Sequence, residues 1–243
     1  MKKLIKKLAG FLGYSITSIR DNDNLAKPLN RTHFFDIYFA NVTKDFFFVQ
    51  IGANDGKKKD PLNPYVTKYN LSGISIEPQP KVFERLQETY KGTNVQCVNA
   101  AIAENTGSLP FYSVRQPIGA TDSFIWMTTL ASFDRDFLRR TLAKNMRGKS
   151  SDDLIQETQV KALSFSDFAK MYNVERIDFL QLDCEGWDWK ILKTIDLKKY
   201  SPTIINFESN YLSDAEWKEV DDLLARFGYR WFQYGNDTCA YRI

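Results

Sequence analysis

The chain has 243 residues, of which 43% are hydrophobic and 14% aromatic, and this composition excludes a wholly disordered protein. Its 33 basic and 30 acidic residues give a net charge of +3, too small to predict a nucleic-acid partner. One histidine and three distant cysteines offer little material for a zinc site or a serine-hydrolase triad. We therefore expect a single α/β domain whose Cys97, Cys184 and Cys239 are reduced, buried thiols, as in a cytosolic protein.

Residues 1–12 (MKKLIKKLAGFL) carry four lysines opposite large apolar side chains, a pattern typical of a short basic amphipathic helix. It is too short and too charged to span a bilayer. Two interpretations remain open: the helix docks on its own domain, or it rests weakly on an anionic membrane face. Residues 21–28 are predicted to be a polar linker, so we expect an N-terminal unit of residues 1–30 and a domain of residues 31–243. The predicted location is cytoplasmic, at the inner membrane face under the second interpretation.

The most informative segment is residues 46–56 (FFFVQIGANDG), where a buried strand runs into a turn with almost no side chains. Gly52 and Gly56 permit backbone angles and a close ligand approach that a Cβ would obstruct. A second strand, residues 73–76, ends on Glu77, 25 residues beyond Gly52. In nucleotide-binding βαβ units, a carboxylate near this spacing binds the ribose hydroxyls. The pair therefore predicts a nucleoside ligand across the tips of adjacent parallel strands.

The turn lacks the glycine patterns that bind phosphates, since neither GxGxxG nor GxxxxGK[ST] is present. Asp55 would repel a phosphate, but it suits the amino group of a zwitterion such as the methionine part of S-adenosylmethionine. On its own, the motif is equally consistent with an ordinary strand and turn without a ligand.

Strands and helices are predicted to alternate along the rest of the chain. Apolar patterns indicate strands at residues 95–102, 108–114, 177–182 and 203–207, and an antiparallel hairpin of residues 229–233 with 238–242. Helices are predicted around residues 32–42, 81–90, 187–195 and 215–227. Ser164 or Ser166 is available to cap another helix.

Residues 115–160 break this pattern, and their charge favours a helix followed by a mobile loop over the ligand-binding end of the sheet. Five arginines of this region either face an anionic acceptor or form a solvated helix face: Arg115, Arg135, Arg139, Arg140 and Arg147. Three tryptophans either offer flat faces to a sugar ring or belong to the core: Trp126, Trp187 and Trp189.

The chain resembles the FkbM family of S-adenosylmethionine-dependent methyltransferases in five segments that occur in order: VQIGANDG, ISIEPQP, VNAAIAENTGSLPFY, DFLQLDCEGWDWKIL and TIINFE. The resemblance covers roughly residues 46 to 210, and residues 131–133 (ASF) are similar to a further short motif of the family. It implies a Rossmann-like class I methyltransferase sheet, mostly parallel and seven-stranded, with a closing antiparallel hairpin and helices on both faces. It also implies S-adenosylmethionine as cofactor, and many members are associated with O-methylation of sugars or natural-product hydroxyls.

The predicted cofactor site is spread over several strand ends: Gly52, Ala53, Asn54, Asp55, Gly56, Glu77, Asn99, Ala100, Ala101 and Asp183. Residues 52–56 are expected to wrap the methionine portion and the ribose, and Glu77 is expected to anchor the ribose hydroxyls. The family resemblance places residues 99–101 at the adenine edge.

Three carboxylates close the fourth and fifth parallel strands and are the candidate catalytic residues: Asp183, Glu185 and Glu208. Holding them together is costly unless a metal, a lysine or a sulfonium lies between them. One carboxylate takes the proton of an acceptor hydroxyl directly, or two hold a divalent cation, for which oxygen ligands favour magnesium over zinc. Glu185, which precedes Gly186, is also open to a purely structural role at a helix start.

The sequence thus predicts a methyltransferase that acts on a sugar or another hydroxyl group in glycan, polysaccharide or natural-product biosynthesis, with a small-molecule or glycan acceptor as its partner. Two other functions remain open: a noncatalytic nucleoside-binding module, and a methyltransferase acting on a protein or nucleic-acid nitrogen. Intact residues at the predicted site argue against the first. The lack of an Asn-Pro-Pro-Tyr type amine-binding motif after the fourth strand argues against the second.

Overall fold

The computed structural model describes residues 31–115, 126–146 and 152–242. The predicted N-terminal unit, residues 1–30, with its amphipathic helix and linker, lies outside the described residues. Within the described ranges, no helix is long and apolar enough to cross a membrane.

The helices are α1 (Arg31–Phe39), α2 (Asn63–Tyr69), α3 (Pro80–Thr89), α4 (Arg135–Asn145), α5 (Phe165–Met171), α6 (Asp188–Leu192), α7 (Leu197–Tyr200) and α8 (Asp214–Arg226). The strands are β1 (Phe47–Ile51), β2 (Ser72–Ile76), β3 (Val95–Val98), β4 (Ala101–Ala103), β5 (Gly107–Val114), β6 (Ala131–Ser132), β7 (Ile155–Ser164), β8 (Phe179–Leu182), β9 (Ile204–Glu208), β10 (Arg230–Tyr234) and β11 (Asp237–Tyr241). Short 3₁₀ turns span Trp126–Thr129 and Asp152–Leu154.

Seven strands form the main sheet in the order β10-β11-β9-β8-β1-β2-β3. The five strands from β9 to β3 pair in parallel, while β11 runs antiparallel to both β9 and β10. The chain order reverses between β1 and β8, and open α/β sheets bind ligands at the carboxyl ends of the strands beside such a point. The predicted Rossmann-like, mostly parallel sheet with a closing antiparallel hairpin is confirmed.

Helices cover both faces of this sheet, as predicted. Because side chains alternate along a strand, Val49 of β1 packs on one face in a cluster that includes Val220 of α8. Phe48 points to the other face, where the Phe35 ring of α1 lies 5.2 Å from that of Phe179 of β8. The central strands are therefore buried on both sides, which explains their continuous apolar runs.

The predicted third strand, residues 95–102, is wrong in its extent, because the structure divides it between β3 and β4 of two different sheets. At the break, the Asn99 side-chain amide donates to the carbonyl oxygens of Glu77 and Pro78, at 2.8 and 3.1 Å. The Ala100 N–H donates to the Val98 carbonyl at 3.2 Å. Since apolar residues continue through the break, hydrophobicity alone contained no signal of it.

A second sheet of four strands, in the order β4-β7-β5-β6, was not predicted. Of the predicted helix and loop in residues 115–160, the helix is confirmed as α4, but a 3₁₀ turn and the first part of β7 occupy the described part of the expected loop, and β6 precedes the helix. Residues 147–151 of that loop lie outside the described residues. Most of the first half of β7 is solvent-exposed, so its sequence lacks the apolar alternation by which a strand is predicted.

Smaller predictions in this half of the chain have mixed outcomes. The Ser164 hydroxyl caps α5 by accepting the Asp167 N–H at 3.1 Å. The helix predicted over residues 187–195 is shorter, as α6 spans Asp188–Leu192. All three cysteines are free as predicted, although Cys239 is buried whereas the other two are half-buried.

Candidate active site

A cleft with an empty volume of about 610 Å³ lies at the carboxyl ends of β1, β2 and β8. The second sheet contributes the opposite wall. Seven of the predicted site residues line this cleft: Gly52, Asn54, Glu77, Ala100, Ala101, Asp183 and Glu185.

Gly52 brings three strand ends together. Its φ is +78°, and a Cβ at this position would lie 2.0 Å from the carbonyl oxygen of Asp183. The N–H groups of Gly52 and Ala53 both donate to the Ile76 carbonyl, at 3.0 and 2.9 Å. A side chain at position 52 would therefore push the tip of β1 away from that of β8.

Glu77 is 4% exposed, and backbone groups hold its carboxylate in place. Its Oε2 accepts the Asn54 N–H at 3.0 Å and its Oε1 accepts the Gln79 N–H at 2.9 Å. Burial raises the pKa of Glu77 to about 7, and the two N–H groups offset part of that effect. Since each carboxylate oxygen has more than one acceptor site, Glu77 retains capacity for two ligand hydroxyls.

Four predicted cofactor-binding residues do not line the cleft: Ala53, Asp55, Gly56 and Asn99. The Asp55 Oδ1 accepts two backbone N–H groups of its own turn, and its contact with the amino group of a ligand stays a prediction. A Cβ at Gly56 would meet the Leu86 side chain of α3 rather than a ligand. These residues shape the turn and the strand ends around the cleft.

Four carboxylates gather at the ends of β8 and β9 and are called here the acidic group: Asp183, Glu185, Asp188 and Glu208. Burial is the largest cause that raises the pKa of each, to about 7 for Glu185 and Asp188 and to about 10 for Glu208. Burial and then the charge of Glu185 raise the pKa of Asp183 well above its usual range. At neutral pH, Glu208 therefore carries a proton in the free protein.

Glu208 does not line the cleft. Its Oε2 is shielded from solvent and makes no hydrogen bond with the residues that the structure describes. Asp188 was missed by sequence reasoning, although its position in the DCEGWD segment, three residues after Glu185, was visible.

The predicted magnesium route gains no support. Across residues 31–115, 126–146 and 152–242, no group of three or more His, Cys, Asp or Glu side chains is arranged to hold a metal ion.

A row of aromatic rings on the cleft was not predicted as a unit. The Phe111 and Phe133 centroids lie 4.9 Å apart, and Phe133 lies 4.9 Å from Trp187. All three rings line the cleft. Phe111 and Phe133 belong to the second sheet and to the loop that follows it, so the missed sheet concealed this wall. The ASF motif was the available signal, since Ala131 and Phe133 both face the cleft.

The other aromatic and basic candidates lie elsewhere. The Trp189 indole donates to Glu219 at 3.1 Å within the core, and the Trp126 side chain lies outside the described residues. Three arginines of α4 form ion pairs with nearby aspartates: Arg135–Asp152, Arg139–Asp136 and Arg140–Asp134. Arg115 donates to the Asp153 carbonyl, and Arg147 lies outside the described residues. The geometry thus favours a solvated face over an anion site.

Comparisons with known proteins agree with this architecture. The family model of the methyltransferase FkbM domain matches residues 50–231. Among solved structures, an FkbM methyltransferase from Methylobacillus flagellatus KT is similar with 15% identity and a TM-score of 0.49. The match covers 83% of this chain but 45% of that one, so this chain spans less than half of its length. The N-terminal domain of human METTL16 is similar with 13% identity and a TM-score of 0.43, over 98% of this chain and 79% of that one. No curated protein sequence matches significantly.

The family model begins in β1 and ends in β10, so it includes Glu77, the whole acidic group and both walls of the cleft. By this match the chain belongs to the FkbM family of methyltransferases.

Proposed function

We propose that this methyltransferase transfers the methyl group of S-adenosylmethionine to a hydroxyl group of a sugar or of another glycan or natural-product precursor. The observation that carries the proposal is that unlike carboxylates lie at the two ends of one cleft. Glu77 is held by backbone N–H groups at one end, and Asp183 and Glu185 lie at the other, across Gly52.

The cleft residues fit the proposed cofactor. Glu77 would accept hydrogen bonds from two ribose hydroxyls, and the turn at Asn54, which has a φ of +50°, would lie along the ligand. Asp183 and Glu185 would face positive charge, and a cation there would lower their pKa values. The cofactor, when bound, supplies an electrophilic methyl group on a sulfonium.

Within the acidic group, Glu185 is best suited to take a proton from an acceptor hydroxyl. A general base works best when its pKa lies near the working pH, and burial raises the pKa of Glu185 to about 7. Glu208, with a pKa raised to about 10, holds a proton at that pH. The faces of Phe133 and Trp187 beside Glu185 suit the apolar face of a sugar ring.

The test is methyl incorporation from labelled S-adenosylmethionine into a panel of free sugars, lipid-linked glycans and small alcohols. Glu185→Gln is expected to lower turnover by about 100-fold or more, as for a lost general base, while S-adenosylhomocysteine binding stays within about twofold. Glu175→Gln, an exposed site, is the matched control. Repeating the assay in excess chelator tests the magnesium route.

Two outcomes would contradict the proposal. Peptide and nucleic-acid amines are assayed beside the hydroxyl panel, and transfer to amines but not to hydroxyls would assign the enzyme to nitrogen. Cofactor binding without transfer to any of these acceptors would indicate a binding module. Wild-type turnover by the Glu185 variant would remove that residue from catalysis.

A further inference from the structure

The turn that carries Glu185 has an unusual backbone. The Trp187 N–H donates to the Cys184 carbonyl at 3.2 Å, and the two residues between them have φ values of +48° for Glu185 and +87° for Gly186. Two consecutive positive φ values are typical of a type I′ turn. A residue with a Cβ stays in this region when its surroundings hold it there. The neighbouring groups must therefore stabilise the Glu185 turn.

Asp188 supplies such a constraint. It is 1% exposed, and its Oδ2 accepts the Cys184 N–H at 3.2 Å. Its Oδ1 accepts the Glu208 N–H at 3.1 Å. One buried carboxylate thus joins the start of the Glu185 turn, at the tip of β8, to the last residue of β9.

A second contact fixes the same turn from the other sheet. The Ser132 hydroxyl of β6 donates to the Glu185 carbonyl at 3.1 Å. On the far side of the turn, a Cβ at Gly186 would lie 3.3 Å from the Phe137 ring of α4. Ser132 connects the turn to the second sheet, whereas Asp188 connects it to Glu208.

The chemistry of the bridge requires a carboxylate. An ionised carboxylate is a pure acceptor, so each oxygen can accept one of the two N–H groups. An amide of the same shape has one acceptor and one donor, so it would leave one buried N–H facing an NH₂ group.

We propose that Asp188 is a positioning residue that fastens the Glu185 turn to the end of β9 and so sets where Glu185 and Glu208 lie relative to each other. The catalytic consequence rests on the proposed function, but the bridge itself does not.

The test is amide hydrogen exchange, measured by NMR, in Asp188→Asn and in a matched control, Asp196→Asn. Asp196 also accepts two backbone N–H groups, those of Lys198 and Lys199, but at the start of α7, away from the cleft. Asp188→Asn is expected to speed exchange at Cys184 or Glu208 by at least about tenfold and to leave the Gly52 amide unchanged. The control is expected to change neither bridge amide.

A second variant and a second readout separate positioning from general destabilisation. Ser132→Ala removes the hydroxyl that binds the Glu185 carbonyl, so it should destabilise the Glu185 turn. It should not speed hydrogen exchange at the Glu208 amide. Once a methyl acceptor has been identified, Asp188→Asn should lower kcat by about tenfold or more while S-adenosylhomocysteine affinity is retained. Failure to find any acceptor would defeat the proposed function, yet the exchange result would still stand.

Unchanged protection of both bridge amides in folded Asp188→Asn would overturn the inference. If that variant does not fold, through-hydrogen-bond couplings from the two amides to the Asp188 carboxyl carbon decide the question in the wild-type protein. Their presence supports the bridge, and their absence overturns it.

Discussion

Glu77 and Glu208 are both partly or fully buried carboxylates at the ends of parallel strands, yet their surroundings differ. Glu77, which follows β2, accepts a backbone N–H on each oxygen, and burial raises its pKa to about 7. Glu208, which ends β9, has a shielded Oε2 with no hydrogen bond in the described part of the chain. Burial and the neighbours Glu185 and Asp183 raise its pKa to about 10.

The comparison shows that position on a strand does not decide what a carboxylate can do. Backbone N–H groups hold both carboxylate oxygens of Glu77, whereas burial, reinforced by the neighbouring carboxylates, keeps a proton on Glu208. A cation entering the cleft would relieve the repulsion in the acidic group and leave the hydrogen bonds of Glu77 unchanged. The Glu77 end of the cleft is thus preformed, and a response to the charge of a ligand is expected at the acidic end.

The largest effect is expected at Gly52, which lies between Glu77 and the acidic group. Gly52→Ala should lower the free energy of unfolding by about 3 kcal/mol, because the new Cβ meets the Asp183 carbonyl and the φ is left-handed. Gly92→Ala is the matched control, since Gly92 has a φ of +76° with nothing within 4 Å of its Cβ, and about 1 kcal/mol is expected. Urea unfolding measures both. Equal losses of unfolding free energy in the two variants would mean that the ends of β1 and β8 move apart at little energetic cost.

A smaller effect, on ligand affinity, is expected when the Glu77 carboxylate is removed. Glu77→Ala should weaken S-adenosylhomocysteine binding by about 2 kcal/mol, roughly thirtyfold, because a charged acceptor of two hydroxyls is lost. Calorimetric titration of the folded variant measures this, with the exposed Glu84→Ala on the following helix as control. Unchanged affinity would remove Glu77 from the cofactor site.

The smallest expected effect is a difference between Glu77 and Glu208 in how each makes the free energy of unfolding depend on pH. A carboxyl group whose folded pKa is raised stabilises the protein fully below its unfolded pKa, near 4.5, and this stabilisation is lost as the pH rises towards the folded value. The loss should be complete near pH 7 for Glu77 and near pH 10 for Glu208. In the wild-type protein, the fall in unfolding free energy due to Glu208 should be about 1.4 kcal/mol between pH 7 and 8, and Glu208→Gln should remove it.

Thermal and urea unfolding at several pH values measure this difference, with Glu175→Gln as the control. If the unfolding free energies of the wild-type protein and the Glu208 variant fall in parallel with pH, Glu208 does not have a raised pKa in the folded protein.

Local sequence was sufficient for much of the fold and for the cofactor end. The strand–turn of residues 46–56, the spacing from Gly52 to Glu77 and the closing hairpin all depend on contacts between near neighbours or on strands with strong apolar patterns. These features predicted Gly52, Asn54 and Glu77 at the cleft, whereas the resemblance to the FkbM family supplied the seven-stranded sheet and the placement of Ala100 and Ala101.

Tertiary structure alone decided the rest. The second sheet was not predicted because the first half of β7 is mostly exposed and β4 follows β3 after only two residues, so the aromatic wall formed by Phe111 and Phe133 was missed. The role of Asp188 depends on a hydrogen bond to Glu208, 20 residues away, which no local pattern encodes. Sequence determined which residues end the strands, but burial and long-range neighbours decided which carboxylates are charged, because a pKa depends on all the groups packed around it.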